Sequence, residues 1–191
     1  MTTTPTPNPA PPVKVVDTRA NIIAWAKWSV ANKAKFTYSE GNNRMTALGH
    51  YPPVFPQTSD CSAFVTWLYW ISGALDPNGG SAYTATYYGR QGYTGTLLTH
   101  GQHISANIAV PGDVVVYGAY PGQHTALIVQ AQGLDILTVS HGGPTGQSPI
   151  YCWVNKPTHL PQNGYPVDGR EPQTFLRFDT TAKYLVHTAP S

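Results

Sequence analysis

Thr58-Ser59-Asp60-Cys61-Ser62-Ala63-Phe64-Val65-Thr66-Trp67-Leu68-Tyr69-Trp70-Ile71-Ser72-Gly73 decides the fold, because it sets one cysteine at the start of a helix. Asp60 is a favourable N-cap, able to accept from backbone N–H groups that a first turn leaves unpaired. Phe64, Trp67, Leu68 and Ile71 recur at steps of three and four, which predicts an apolar stripe on one helical face, and Gly73 supplies the residue that ends the helix. Cys61 falls in the first turn. There the helix dipole and the free N–H groups favour a thiolate and lower its pKa from about 8.5 towards the reactive range. A buried cysteine with no partners is a small hydrophobe instead, so the reading turns on its company. Gly122-Gln123-His124-Thr125-Ala126-Leu127-Ile128-Val129 carries a histidine in a β-like run, and Thr138-Val139-Ser140-His141-Gly142 carries a second. Cysteine, then histidine, then a polar orienter is the order of a cysteine hydrolase.

The same residues carry a family resemblance. Asp60-Cys61-Ser62-Ala63-Phe64-Val65 resembles the Asp-Cys-Ser-Gly-Phe-Val box of NlpC/P60 cysteine peptidases. Pro111-Gly112-Asp113-Val114-Val115-Val116-Tyr117 resembles that family's Pro-Gly-Asp-Leu strand entry, and Gln123 to Val129 resembles its His-Val-Gly-Ile strand. The likeness runs from about Phe36 to His141 and is strongest to the peptidase modules of lysins from phages of actinobacteria. Ala63 stands for the usual glycine and Thr125-Ala126 for Val-Gly, both changes keeping small size. The resemblance implies an α+β, papain-like fold with N-terminal helices packed on an antiparallel sheet. It implies Cys61 as nucleophile, His124 as base and His141 as orienter, with Tyr38, Ser62 and Asp60 at the substrate and oxyanion side. The implied substrate is a peptidoglycan stem peptide, and no cofactor or metal is implied.

Composition is compatible with this. A chain of 191 residues with 41% hydrophobic content can bury one sizeable core. Only 10% of residues are charged and the net charge is +2, which is neither a disordered polyelectrolyte nor a nucleic-acid binder. No run of about eighteen apolar residues exists, so no membrane span is expected. Joining the two cysteines would consume the nucleophile, so two free thiols are expected, with Cys152 a packing residue.

Read in order, residues 1–12 form a Thr/Pro-rich leader without core-forming residues, and 13–191 form one catalytic domain. The leader lacks the regions of a secretory signal, so the expectation is synthesis in the host cytoplasm and release to the bacterial wall with a holin or a separate wall-targeting domain, the enzyme being a monomer. Asp17 or Thr18 caps a helix running to about Asn32 through Ile22, Ile23, Trp25, Ala26 and Val30, which packs under the cysteine helix. Tyr38 follows, either reaching over the nucleophile or capping the core with a wetted hydroxyl. Asn42 to Gln57 reads as irregular loop, and short helical turns are expected around Ala82 to Tyr88 and Gly95 to His100. His100 and His103 pair without a third ligand nearby, too few for a metal site. Val114 to Tyr117, Thr125 to Gln130 and Ile136 to Ser140 read as an antiparallel meander, with Asp113 pinning the turn before it. Thr174 to Phe178 reads as a last strand closing the sheet edge.

The chemistry expected is acyl transfer from a peptide amide to Cys61 and then hydrolysis. Two other readings stay open: a CHAP-like papain-type amidase or acyltransferase sharing the triad, and a non-catalytic wall-binding module.

Overall fold

The computed structural model describes residues 17–44, 48, 50, 52–79 and 92–190. The leader at 1–12 and the helical turn expected around Ala82 to Tyr88 lie outside the described residues. Helix α1 (Thr18–Ala31) starts at Asp17, whose carboxylate accepts from the Ala20 N–H at 3.1 Å. A short parallel pair follows, β1 (Phe36–Tyr38) beside β2 (Gln57–Ser59). β2 ends at Ser59, next to the Asp60 cap, so the expected loop gives way at its last residue, Gln57, to a strand that delivers the chain to α2 (Cys61–Ile71).

α2 differs from expectation in one respect. All eleven of its residues are buried, not one face of it. Its sequence has no charged residue to present to water, and a helix that is apolar all round is a central helix. Trp67 meets the edge of Trp25 from α1 at 5.4 Å between ring centres, and Phe36 meets both Trp67 and Phe64 at 5.8 Å. The helix ends in a Schellman arrangement: Gly73 N–H donates to Trp70 and Ala74 N–H to Tyr69. Gly73 has φ +76°, and a side chain there would strike the carbonyl of Tyr184, because the C-terminal segment crosses this helix end.

Beyond α3 (Thr94–His100) lies the sheet: β3 (Gln102–Ile104), β4 (Val114–Tyr117), β5 (His124–Gln132), β6 (Asp135–Ser140), β7 (Ile150–Trp153) and β8 (Gln173–Arg177). The order is β3-β8-β4-β5-β6-β7, every neighbour antiparallel. The class is therefore α+β, and β4-β5-β6 is the expected meander. The last strand is not the edge, however, since β3 pairs outside β8. β3 is three residues long with an exposed pattern, too short and too polar to announce itself.

Strand alternation splits the sheet into two faces. Val114, Val116, Leu127, Leu137, Val139 and Leu176 pack with the helices, whereas Val115, Tyr117, Ala126, Ile128, Ile136 and Phe175 build a smaller core on the other side. Asp113 is fully buried at the turn before β4. It accepts from Val110 N–H at 2.9 Å, from Arg19 of α1 at 3.0 Å and from Arg177 of β8 at 2.7 Å, so one carboxylate ties the turn to a helix and a strand.

Candidate active site

Asp60 sets up the first turn of α2. One carboxylate oxygen accepts from Ala63 N–H at 2.7 Å and lies 3.0 Å from Ser62 Oγ, and the other accepts from Arg44 Nη1 at 2.9 Å. Arg44 is only 1% exposed and also donates to the Gly92 carbonyl. Ser62 Oγ donates to that carbonyl too, so Ser62 and the Asp60-bound Arg44 brace the helix start against the Gly92 segment. Burial raises the Asp60 pKa, and the Arg44 guanidinium opposes it.

Cys61 follows, 7% exposed, at the floor of a 180 Å³ cleft that it shares with Tyr38, Glu40, Ser62, Tyr93 and Gln123. Its thiol does not have the low pKa expected from the helix dipole. Burial pushes it up to about 12, the Asp60 carboxylate adds to this, and the backbone N–H groups of Thr125 and Ser62 pull the other way without overcoming it. Desolvation of a thiolate outweighs the partial charge of one helix end. The resting form is the thiol. Both Cys61 and Cys152 are free, and Cys152 is fully buried on β7.

His124 opens β5, so the Thr125 N–H that faces Cys61 belongs to the next residue along. Its side chain follows Tyr117, Ala126 and Ile128 onto the far face of the sheet, where the ring stacks on Tyr117 at 5.8 Å. Nε2 lies 2.6 Å from Ser140 Oγ and 3.9 Å from Asp168 Oδ2. Both neighbours therefore approach Nε2, and Nδ1 is the nitrogen that neither engages. Burial drives the His124 pKa down to about 3, and the Arg170 guanidinium lowers it further against the pull of Asp168.

His141 sits one residue past Ser140 and so on the other face, with α2. Its ring meets Phe64 at 5.3 Å and Tyr38 at 5.4 Å, and its Nδ1 lies 3.0 Å from Ser59 Oγ. Nε2 is buried without a hydrogen-bond partner, and burial lowers the ring pKa to about 4. Ser140, not the expected His141, is therefore the side chain within hydrogen-bond distance of His124. The reason is the period of two: Ala126 pairs with Ser140, which puts Ser140 on the His124 face and His141 off it. Among the described residues no hydrogen bond joins Cys61 to either histidine.

Tyr38 stands over the cleft, its hydroxyl donating to Glu40 Oε1 at 2.9 Å. Burial and then the neighbouring Cys61 raise its pKa. Gly142 lies directly against this ring at φ +81°, and a side chain there would overlap Tyr38 Cε2. His100 and His103 are exposed and turned to the α3 carbonyls of Thr96 and Leu98. Sequence reasoning missed Arg44, Ser59, Ser140, Asp168 and Arg170. Ser140 stands one residue before the expected His141, and the register that chooses between them passes a bulge between Ile128 and Gln130 that neither strand announces. Asp168 and Arg170 sit on a loop after β7, and nothing in their local sequence points to the site.

No family model matches the sequence, and no curated protein matches it. The fold is similar to solved structures that include the following two. One is the P60 domain of an antigen from M. avium subspecies paratuberculosis, 15% identical, covering 87% of this chain and 98% of that one, with a TM-score of 0.47. The other is RipD from Mycobacterium tuberculosis, described as a non-catalytic NlpC/P60 domain protein adapted to peptidoglycan binding. It is 17% identical, covers 85% of this chain and 98% of that one, and has a TM-score of 0.49.

Proposed function

We propose that this chain is a cysteine-dependent peptidoglycan hydrolase that cleaves an amide bond of the stem peptide, with Cys61 as nucleophile and His124 as base. The observation that carries this reading is the placement of the thiol in the first turn of α2, against the N–H of the residue next to a histidine whose Nε2 is already engaged. That leaves Nδ1 to take the proton. Because the thiol pKa stands high and the imidazole pKa low, the resting pair is neutral, and the proton moves as the sulfur attacks. The S–H proton passes to Nδ1, sulfur bonds the carbonyl carbon, and the backbone N–H of Cys61 meets the oxyanion. The Tyr38 hydroxyl assists by exchanging Glu40 for that oxygen. Collapse breaks the C–N bond and returns the proton to the leaving amine. Water then hydrolyses the thioester through the same nitrogen.

The substrate class rests on the resemblance of Asp60 to Val65, Pro111 to Tyr117 and Gln123 to Val129 to the NlpC/P60 boxes. The lysin role, with release of the chain to the wall through a holin, rests on the same resemblance. A second reading, a wall-binding module without hydrolysis, is favoured by one observation, the buried and protonated thiol. Mass spectrometry of purified peptidoglycan after incubation separates them. New amine and carboxyl ends within the stem peptide, absent with Cys61→Ala, are the expected result. Retention on sedimented wall with no new ends would support the binding module and overturn the hydrolase.

A further inference from the structure

Behind His124 lies an arrangement that the Cys61–His124 pair does not itself require. Asp168 is buried to 2% exposure. Its backbone N–H donates to Trp153 at 2.8 Å, which fixes it beside β7. Arg170 donates to it in bidentate fashion, through Nε at 2.7 Å and through Nη2. The same guanidinium lies over the Tyr117 ring at 5.5 Å, and Tyr117 stacks on His124. Carboxylate, guanidinium, phenol and imidazole thus close a ring of contacts, and Ser140 Oγ meets the same Nε2 that the carboxylate approaches. A surface Asp-x-Arg pair needs none of this. A carboxylate that is nearly dry and gripped by a bidentate arginine is held in place.

We infer that Asp168, locked by Arg170 and acting with Ser140 on His124 Nε2, is the positioning group of the Cys61–His124 pair. This rests on the hydrolase reading above. Nε2–H donates to Ser140 Oγ, which fixes the tautomer that leaves Nδ1 bare. When Nδ1 takes the thiol proton, the ring becomes a cation 3.9 Å from the Asp168 carboxylate, which stabilises it. Arg170 sets how much of that charge is felt. In the resting state it offsets Asp168 and adds to burial, which is the main cause of the lowered imidazole pKa. The other groups that act on this ring, its carboxylate or the Arg170 guanidinium are Tyr117 from β4, His141 just past β6, Cys152 from β7 and Cys61 from α2, which acts on Arg170. None of these carries charge at neutral pH except through the Cys61–His124 transfer itself.

The test reads the imidazole directly. Long-range proton–nitrogen correlation on histidine-labelled protein, with His124 assigned through His124→Gln, reports tautomer and titration without any substrate. The unmutated chain is expected to show the Nε2–H tautomer. Ser140→Ala and Asp168→Asn should move the ring towards a tautomer mixture and lower hydrolysis about 10-fold to 100-fold. Ser140→Thr, which keeps the hydroxyl, should restore the tautomer. Arg170→Gln should raise the pH at which His124 takes up its proton. Should Asp168→Asn not fold, Ser140→Ala and Arg170→Gln report on the same ring. An unchanged tautomer and titration in the folded variants would overturn the inference. Tautomer shifts in a chain that cuts no peptidoglycan would leave Asp168 as the positioning group and overturn the hydrolase reading alone.

Discussion

Cys61 is an unusual nucleophile candidate because its thiol is held protonated by burial while its position in a helix first turn favours the anion. Two outcomes follow at the scale of this residue. Alkylation of Cys61 by iodoacetamide at pH 7 is expected to be much slower than that of a free cysteine and to speed up as pH rises, since only the thiolate reacts. Rapid labelling at neutral pH would contradict a thiol pKa raised to about 12. Replacement separates the two cysteines. Cys61→Ala should abolish hydrolysis with circular dichroism unchanged. Cys152→Ser puts a hydroxyl among buried atoms and should cost about 1–3 kcal/mol of stability while leaving turnover near that of the unmutated chain. Equal loss of activity at both sites would sink the assignment.

At the scale of the element, the start of α2 depends on a single carboxylate that caps the helix and pairs with a buried arginine. Asp60→Ala removes a cap worth about 1 kcal/mol and leaves Arg44 facing an uncharged methyl, for a total of about 3 kcal/mol. For a chain of this size that is a drop of about 6–12 °C in Tm, measurable by calorimetry. Asp60→Asn keeps the capping oxygen and should lose less. Equal losses in the two variants would mean that the cap contributes little and the charge nearly everything. The aromatic contacts that seat α2 are equally local in cause. Trp67 fills the space between Trp25, Phe36 and Phe64, so Trp67→Ala should cost about 3–5 kcal/mol through the cavity it leaves.

At the scale of the whole molecule, burial of two neutral histidines on opposite sheet faces makes stability depend on pH. The folded-state pKa values stand at about 3 for His124 and about 4 for His141, against about 6.5 in the unfolded chain. Between those limits the unfolded chain binds protons that the folded chain does not, so stability falls as pH falls from about 6.5 towards 4. Asp135 adds a later loss. Burial would raise its pKa, but the N–H groups of Thr158, His159 and Leu160 outweigh that and hold it at about 2, so its contribution disappears as pH drops from about 3.8 through 2. Urea midpoints should therefore hold nearly level from pH 7.5 to about 6.5 and decline from there to 4.5, and His141→Asn should flatten the decline. A midpoint independent of pH over that range would mean that the histidines are not buried neutral.

Local chemistry in the chain determined the cysteine helix and its Asp60 cap, the α1 helix with its Asp17 cap, the β4-β5-β6 meander and the candidacy of Cys61, His124 and His141. Each is a matter of capping, periodicity or turn residues within a dozen positions. Only tertiary structure decided the rest. The burial of α2 on every side comes from α1 and the sheet closing around it, and the inside position of β8 from the three-residue β3 that covers it. Which residue holds His124 was settled by strand register, because a shift of one position exchanges Ser140 for His141 across the sheet. The upward push on the Cys61 thiol pKa comes from how much water the fold removes, which a helix position does not reveal. Asp168 and Arg170 reach the site from a loop that is distant in sequence, and no local pattern encodes a contact made across a fold.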